Sequence, residues 1–175
     1  ELDMISYAMV IMELARADAS VAITMAAHTS LGTLPLLILG NDDQKRKFLP
    51  DIASGKSLSA FGLTEPNSGS DAGACKTKAM LKGDYYIVNG GKIFITNAGH
   101  AKLLIFTSRI EHNGRDLGIG AFIIPTNISG LEIGPKENKM GWCASDTRQL
   151  FFREMKIPKS SLLGDPSIGF KTFLK

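Results

Sequence analysis

The chain has 175 residues, of which 44% are hydrophobic and 21% are charged, and its formal net charge at pH 7 is +3. This length suits one sizeable domain or two small ones, and the composition is that of a globular protein rather than a disordered one. The net charge is small, and no basic stripe is interleaved with aromatic residues. Nucleic-acid binding therefore has no support.

The 2 cysteines and 3 histidines lie far apart with no CxxC spacing, which leaves a zinc or other metal site without support. Free thiols in a reducing compartment are favoured over a disulfide, which the sequence alone does not exclude. No run of about 18 apolar residues and no signal-peptide pattern is present, so no membrane span is expected. The chain begins without Met and residues 169–175 resemble the start of a helix, so both ends are interpreted as internal to a longer protein.

Residues 1–55 are predicted to be helical. Apolar residues fall on nearly every face of residues 3–17, which predicts a buried helix. Ser20 is the predicted N-cap of a second helix. Pro35 suits the first turn of a short apolar helix, and Asn41 or the residue after it caps the next one.

After Gly55 glycine, threonine and asparagine become frequent and the apolar runs shorten, which predicts strands. The predicted strands are residues 58–63, 76–81, 85–89, 92–96, 103–108, 120–124, 131–133 and 149–155. Asn89-Gly90-Gly91 predicts a hairpin between two of them, and Gly83-Asp84 predicts another turn. Short strands at this spacing indicate an antiparallel barrel or sandwich.

The predicted fold class is therefore α+β, with N-terminal helices followed by an antiparallel β-barrel or sandwich and the start of a C-terminal helix. The expected domains are residues 1–55 (part of a helical domain), 56–165 (a β-domain) and 166–175 (the start of a second helical domain).

The first candidate site is the loop Phe61-Gly-Leu-Thr-Glu-Pro-Asn-Ser-Gly-Ser-Asp71, which follows a predicted strand. Its hydroxyls and main-chain N–H groups can bind an oxygen-rich ligand such as phosphate. It matches neither the GxGxxG nor the Walker pattern, and taken alone an ordinary turn is the favoured interpretation. Glu65, next to Pro66, is interpreted as structural rather than catalytic.

The second candidate is Phe94-Ile95-Thr96, at the end of a predicted strand. Residues two apart on a strand share a face, so Phe94 and Thr96 are expected to point the same way. An aromatic wall with a hydroxyl suits a planar heteroaromatic ring. The alternative is a core phenylalanine beside an ordinary strand-end threonine.

The third candidate is residues 139–148, which contain the single tryptophan together with Asp146 and Arg148. The two charged side chains either orient each other or bind a ligand, and a turn in which the aspartate accepts backbone N–H groups explains the pattern equally well. No Ser–His–Asp arrangement is indicated, because no histidine lies near Ser70 in the sequence.

These segments occur together, in this order, in the acyl-CoA dehydrogenases, and the chain resembles that family along essentially its whole length. Residues 61–71 resemble the family's Thr-Glu-Pro-x-x-Gly-Ser-Asp signature, and residues 91–97 resemble the strand laid against the isoalloxazine ring. Residues 140–148, with Phe152 and Pro158 beyond them, resemble the exit from the family's β-domain.

The resemblance implies FAD as cofactor, bound by Phe61, Leu63, Thr64, Gly69, Ser70, Phe94, Ile95 and Thr96. It places Thr64 at the pyrimidine edge of the flavin and Thr96 near flavin N5. Ser70 would lie near the pyrophosphate and would also contact the acyl-CoA. Many members have tryptophan where Phe94 stands, so this chain keeps an aromatic wall but lacks an N–H there.

The implied reaction is α,β-dehydrogenation of an acyl-CoA thioester. The family's catalytic base comes from the C-terminal helical domain or the helix entering it, so it is expected beyond Lys175 and no catalytic residue is assigned. The resemblance also implies electron-transferring flavoprotein as acceptor and a homo-oligomer, either tetramer or dimer. The expected compartment is the bacterial cytoplasm or the mitochondrial matrix. The alternative is a catalytically silent flavin- or acyl-CoA-binding module, or an assembly domain without ligand.

Overall fold

The structure is a computed structural model that describes residues 3–165, so the predicted C-terminal helix in residues 166–175 lies outside the described part. Helices come first and strands follow. The helices are α1 (Met4–Ala17), α2 (Ala19–Ala26), a π-helix (Ala27–Thr33), α3 (Leu34–Leu39) and α4 (Asp42–Ala53). The strands are β1 (Leu58–Gly62), β2 (Lys78–Lys82), β3 (Tyr85–Thr96), β4 (Ala101–His112), β5 (Arg115–Pro125), β6 (Leu131–Lys136), β7 (Thr147–Pro158) and β8 (Leu162–Leu163).

Helix starts follow the local capping chemistry. The prediction of Asn41 as a cap is confirmed, because its side chain and that of Gln44 form a reciprocal capping box. Pro35 lies in the first turn of α3, as predicted. The prediction of Ser20 as N-cap is wrong: Asp18 caps α2, and its carboxylate accepts the Ser20 N–H at 2.6 Å.

The predicted burial of the first helix is also wrong for the described part of the chain. No residue of α1 is buried, and Met4 and Ile5 are 77% and 74% exposed. Within residues 3–165 the helix packs against α2, which covers only part of its surface. An apolar sequence pattern indicates that a helix surface tends to be buried, but it does not identify the element that packs on it.

The segment Ala19–Leu39 has the length and the mean hydropathy, 1.5, of a helix that could cross a membrane, although the sequence analysis expected none. A helix that packs on a protein core can have the same length and hydropathy. Leu36, within this segment, is fully buried against β4 and β5 in the cluster that contains Ile105 and Ile123. Gly32 approaches β1 so closely that a Cβ on it would lie 2.3 Å from Ser59 Oγ.

The strands form one open eight-stranded sheet in the order β6-β7-β3-β2-β4-β5-β8, with β1 paired to β4 beside this path. Most pairings are antiparallel, and the α+β class with helices before the sheet is confirmed. Two pairings, β1 with β4 and β2 with β4, are parallel, so the sheet is mixed. The parallel pairing of β1 sends the chain into the loop after Gly62, at the edge of the candidate site.

The predicted hairpin at Asn89-Gly90-Gly91 is wrong. Strand β3 runs through these residues and pairs with β7 along its length, with a register shift between Val88 and Gly90. The two glycines allow a β-bulge and a close backbone contact, and they do not form a turn. The predicted turn at Gly83 does join β2 to β3. The β4–β5 hairpin turns at Asn113 and Gly114, both with positive φ, an Asn-Gly signal that the sequence analysis overlooked.

Replacing Gly90 by Ala is expected to lower the free energy of unfolding by about 3 kcal/mol. Its φ is +140°, and a Cβ there would lie 2.7 Å from the Thr77 Cα, a backbone atom that cannot move aside easily. Gly83→Ala is the control, since its φ is +60° with nothing within 4 Å, and about 1 kcal/mol is expected. Equal losses in urea unfolding would contradict this account.

The core lies on both faces of the central strands. On one face Phe106 packs against Phe122 and Phe152, with ring centroids 5.6 and 4.7 Å away. On the other face Ile105 packs beneath the helices with Leu36. Burial of both faces holds β4 and β5 rigidly, and it places the helices against the end of β1.

Candidate functional site

Most of the predicted cofactor-binding residues line one cavity of about 180 Å³. Its lining from the predicted set consists of Phe61, Leu63, Thr64, Phe94, Ile95 and Thr96, and Ala27 and Leu31 of the π-helix complete it. A larger cavity of about 350 Å³ lies between α4 and β5, and none of the predicted site residues lines it. The smaller cavity is therefore the candidate site.

Three segments build this cavity. Strand β1 ends at Gly62 and delivers Leu63 and Thr64, while the end of β3 delivers residues 94–96. The Ile93 N–H donates to the Thr64 carbonyl at 2.9 Å, which joins the first segment to the second. The π-helix covers them, and it is held to β1 by His28, whose Nδ1 accepts the Ser59 N–H at 3.1 Å. Burial lowers the pKa of His28, which keeps this ring neutral and able to accept.

Phe94 adopts an unusual backbone conformation beside the cavity. Its φ is +59°, the residue is 63% exposed, and a register shift lies between Lys92 and Ile95. The expected alternation is thus broken, and Phe94, Ile95 and Thr96 all line the cavity. Positive φ is rare for a bulky residue and typically costs about 1–3 kcal/mol, and such strain concentrates at ligand sites.

The hydroxyls of Thr64 and Thr96 form no hydrogen bond with another group in residues 3–165. Both side chains are only partly exposed, so these groups remain available to a ligand in the cavity. An exposed aromatic ring and two available hydroxyls in one cavity fit a planar heteroaromatic group that carries acceptors on its edge.

Glu65 and Lys92 form a buried ion pair next to the cavity, and sequence reasoning did not single out Lys92. Their side chains are 3% and 0% exposed, and Lys92 Nζ lies 2.7 Å from Glu65 Oε1. The carboxylate also accepts the backbone N–H groups of Lys76 and Thr77. These contacts support the interpretation of Glu65 as a structural residue.

The ionisation of Glu65 reflects this environment. Burial alone would raise the pKa of the carboxyl group, but hydrogen bonds from Lys92, Thr77 and the Lys76 N–H outweigh burial and lower it to about 2. Cys75 donates its thiol to Glu65 at 3.1 Å, and burial raises the pKa of that thiol. Both Cys75 and Cys143 are free, as the sequence analysis favoured.

Gly69 and Ser70 lie away from the cavity lining, exposed in the loop that follows Thr64. The base of this loop is closed by reciprocal backbone hydrogen bonds between Glu65 and Ser68, at 3.0 and 3.1 Å. Gly69 does not have a positive φ, and a Cβ on it would meet nothing within 4 Å, so neither its backbone conformation nor packing within residues 3–165 requires a glycine.

Asp146 and Arg148 orient each other, and Asp146 also accepts a backbone N–H group, so two of the three interpretations drawn from the sequence apply together. Arg148 Nε lies 2.7 Å from Asp146 Oδ1, and the other carboxylate oxygen accepts the Gly99 N–H at 2.6 Å. Because Asp146 is 4% exposed and both of its oxygens have partners, it has a structural role here. Trp142, in the preceding loop, is 57% exposed with a φ of +52°.

The fold is that of an α+β protein with a small cavity between a π-helix and the ends of β1 and β3. The family model described as "Acyl-CoA dehydrogenase, middle domain" matches residues 60–155, and the one described as "Acyl-CoA dehydrogenase, N-terminal domain" matches residues 1–56. The chain belongs to the acyl-CoA dehydrogenase family, which confirms the resemblance inferred from its motifs.

Known relatives agree along nearly all of the chain. An acyl-CoA dehydrogenase of Bacillus subtilis (strain 168) is 46% identical over 169 residues, covering 96% of this chain and 44% of that protein. The butyryl-CoA dehydrogenase structure from Megasphaera elsdenii has 43% identity and a TM-score of 0.89, covering 95% of this chain and 44% of that one. An acyl-CoA dehydrogenase from Bacillus anthracis complexed with FAD has 39% identity and a TM-score of 0.91, and the match covers 99% of this chain and 29% of that one. The chain thus spans less than half the length of these relatives.

Proposed function

We propose that this chain is the part of an acyl-CoA dehydrogenase that binds FAD and helps to bind the acyl-CoA thioester. The observation that carries the proposal is the cavity at the ends of β1 and β3, which is lined by the exposed Phe94 and by the hydroxyl-bearing Thr64 and Thr96, whose hydroxyls have no hydrogen-bond partner within residues 3–165. The name of the Bacillus anthracis relative, which was solved with FAD, supports the same assignment.

Each group in the cavity has a proposed task. The ring of Phe94 forms an aromatic wall, while Phe61, Leu63 and Ile95 supply apolar contacts that exclude water from the flavin. The hydroxyls of Thr64 and Thr96 hold the edge of the flavin ring by hydrogen bonds. FAD, when bound, supplies the acceptor for the hydride that leaves the substrate β-carbon.

Gly69 and Ser70 are proposed to contact the extended parts of the ligands. Both are exposed beyond the cavity, directly after the turn closed by Glu65 and Ser68, where main-chain N–H groups and a hydroxyl are accessible. Such groups suit a pyrophosphate. Ser70 is also proposed to contact the acyl-CoA.

The catalytic base is proposed to lie outside this chain, beyond Lys175. No carboxylate from residues 3–165 lines the cavity. Glu65, beside it in sequence, is bound to Lys92 and has a pKa of about 2, which makes it a poor base near neutral pH. The 175-residue chain alone is therefore expected not to turn over acyl-CoA.

The substrate, the electron acceptor, the assembly and the compartment are also proposals. Butyryl-CoA is the first substrate to test, because one solved relative is named for it. Electron-transferring flavoprotein is the proposed acceptor, and a homotetramer or homodimer is the proposed assembly. The bacterial cytoplasm and the mitochondrial matrix are the proposed compartments.

The alternative function is a catalytically silent module that binds flavin or acyl-CoA, and the absence of a carboxylate from the described cavity lining favours it. Two measurements separate the proposals. The purified chain, mixed with FAD and desalted, is expected to keep flavin absorbance, and a colourless chain would contradict flavin binding. A longer polypeptide that carries this chain is expected to bleach its flavin on addition of butyryl-CoA. A flavin that stays oxidised with every acyl-CoA tried would favour the silent module.

A further inference from the structure

Lys92 is among the largest fully buried side chains in the described residues, and its ammonium group uses all its donors. Nζ donates to Glu65 Oε1 at 2.7 Å, to the Leu63 carbonyl oxygen at 3.1 Å and to Thr107 Oγ1 at 3.2 Å. An ammonium group has three N–H donors, so this set satisfies it. One of the acceptors, the Leu63 carbonyl, belongs to a residue that lines the candidate flavin cavity.

The Leu63 carbonyl shares a peptide unit with the Thr64 N–H. The chain contains no cis peptide bond among the described residues, and in a planar trans peptide the C=O and the N–H point in opposite directions. The Thr64 N–H therefore points away from the buried ammonium group. Within residues 3–165 this N–H has no backbone hydrogen-bond partner, and both residues of the peptide line the cavity.

The two charged groups of the ion pair have different partners, and only the cationic group contacts this peptide. Its negative end, the Glu65 carboxylate, accepts the N–H groups of Lys76 and Thr77, just before β2. Its positive end is bonded to the Leu63 carbonyl. A cation on the carbonyl oxygen withdraws electron density from the peptide, which makes the Thr64 N–H a stronger donor.

A buried ion pair is weak evidence for stability by itself, because apolar residues of the same size often stabilise a core equally well. We infer that Lys92 is a positioning residue of the flavin site: by binding the Leu63 carbonyl, it turns and polarises the peptide that presents the Thr64 N–H to the cavity, and Glu65 holds Lys92 in that position. This inference rests on the proposed function of the cavity as a flavin site.

The test uses the ¹⁵N-labelled 175-residue chain, with the Thr64 amide signal as the reporter and FAD as the ligand. The double variant E65Q/K92M removes both charges together, so neither is left buried alone. Without ligand, the Thr64 amide signal is expected to move from its wild-type position. On titration, the dissociation constant for FAD is expected to rise about tenfold, the equivalent of one strong hydrogen bond.

The matched control is K78M/E111Q, which makes the same two substitutions in an ion pair on β2 and β4. Lys78 is 57% exposed and neither residue lines the cavity, so the Thr64 amide and the FAD affinity are expected to stay at their wild-type values. A double variant that binds FAD as tightly as the wild type, with an unmoved Thr64 amide, would overturn the role of Lys92 and leave the proposed function standing. A wild-type chain that binds no FAD would overturn the proposed function, while the amide shift in the free chain would still test Lys92.

The single variant E65Q provides the test if the double variant does not fold. It removes the charge that holds Lys92 but leaves an amide oxygen that can still accept from the ammonium group, so the Thr64 amide is expected to move and the dissociation constant for FAD to rise about threefold, less than in the double variant. An E65Q chain with an unmoved Thr64 amide and wild-type FAD affinity would show that Glu65 does not hold Lys92 for this peptide, and the inference would be wrong.

Discussion

A Lys92→Met variant is expected to lose about 3–5 kcal/mol of unfolding free energy at neutral pH. Its partner Glu65 is 4% exposed, and the carboxylate would remain buried without its main cationic partner or would have to take up a proton. Urea unfolding followed by circular dichroism measures the loss. The expected magnitude is large because many small domains have a total stability of only about 5–15 kcal/mol.

Two variants show whether burial is the cause. Lys78→Met removes the cation of an ion pair with the same 2.7 Å separation, but Lys78 is 57% exposed, so about 0.5 kcal/mol is expected. E65Q/K92M is expected to recover most of the loss seen in Lys92→Met, because no charge is then left alone. If Lys92→Met and Lys78→Met lose the same free energy, the buried pair is not the special feature described here.

The same pair predicts the dependence of stability on pH. The pKa of Glu65 is lowered in the folded chain from 4.5 to about 2, so the folded state favours the ionised carboxylate. This contribution, about 3 kcal/mol, is fully present above pH 4.5 and is lost progressively as the pH falls towards 2. The stability difference between the wild type and E65Q/K92M should change across that window, and a difference constant from pH 7 to pH 2.5 would contradict the assignment.

A chain carrying both Thr64→Val and Thr96→Val is expected to bind FAD about 30-fold more weakly than the wild type. Valine keeps the shape of threonine and removes the hydroxyl, and each lost hydrogen bond is worth about 1 kcal/mol. Neither hydroxyl has a hydrogen-bond partner within residues 3–165, so the melting temperature of the free chain should hardly change. Quenching of flavin fluorescence gives the affinity, and calorimetry gives the melting temperature.

Thr126→Val is the matched control for the cavity threonines. Its hydroxyl donates to the Ala101 carbonyl at 2.7 Å, away from the cavity, so about 1 kcal/mol of stability should be lost with no change in FAD affinity. The cavity double variant is therefore expected to lose FAD affinity but not stability, whereas Thr126→Val is expected to lose stability but not FAD affinity. Unchanged FAD binding in the cavity double variant would show that the two hydroxyls do not bind FAD.

Features set by neighbouring residues were predictable. The box at Asn41 and Gln44, the proline in the first turn of α3 and the turn at Gly83 each depend on a few adjacent residues, and each was found. The hairpin expected at Asn89 to Gly91 failed because glycine permits several backbone conformations. The pairing partner, β7, decided that the strand continues.

The candidate site was predictable from the sequence only in part. The family motifs identified Thr64, Phe94 and Thr96 in advance, and the structure brings all of them to one cavity. Lys92 was missed because its neighbours in sequence look like those of any exposed strand lysine. Only the convergence of β3 with the loop after β1 shows that it is buried.

The sequence by itself determined the order of helices and strands, the cap at Asn41, the turn at Gly83 and the family of the chain, because these depend on local hydrogen bonding, local sterics and short motifs. Tertiary structure decided which apolar and charged surfaces are covered: it left α1 exposed, buried Lys92 against Glu65 and bent β3 so that Phe94 faces the cavity. Burial and strand register depend on residues far apart in the chain. A one-dimensional pattern records the preference of each residue but not the partner that satisfies it.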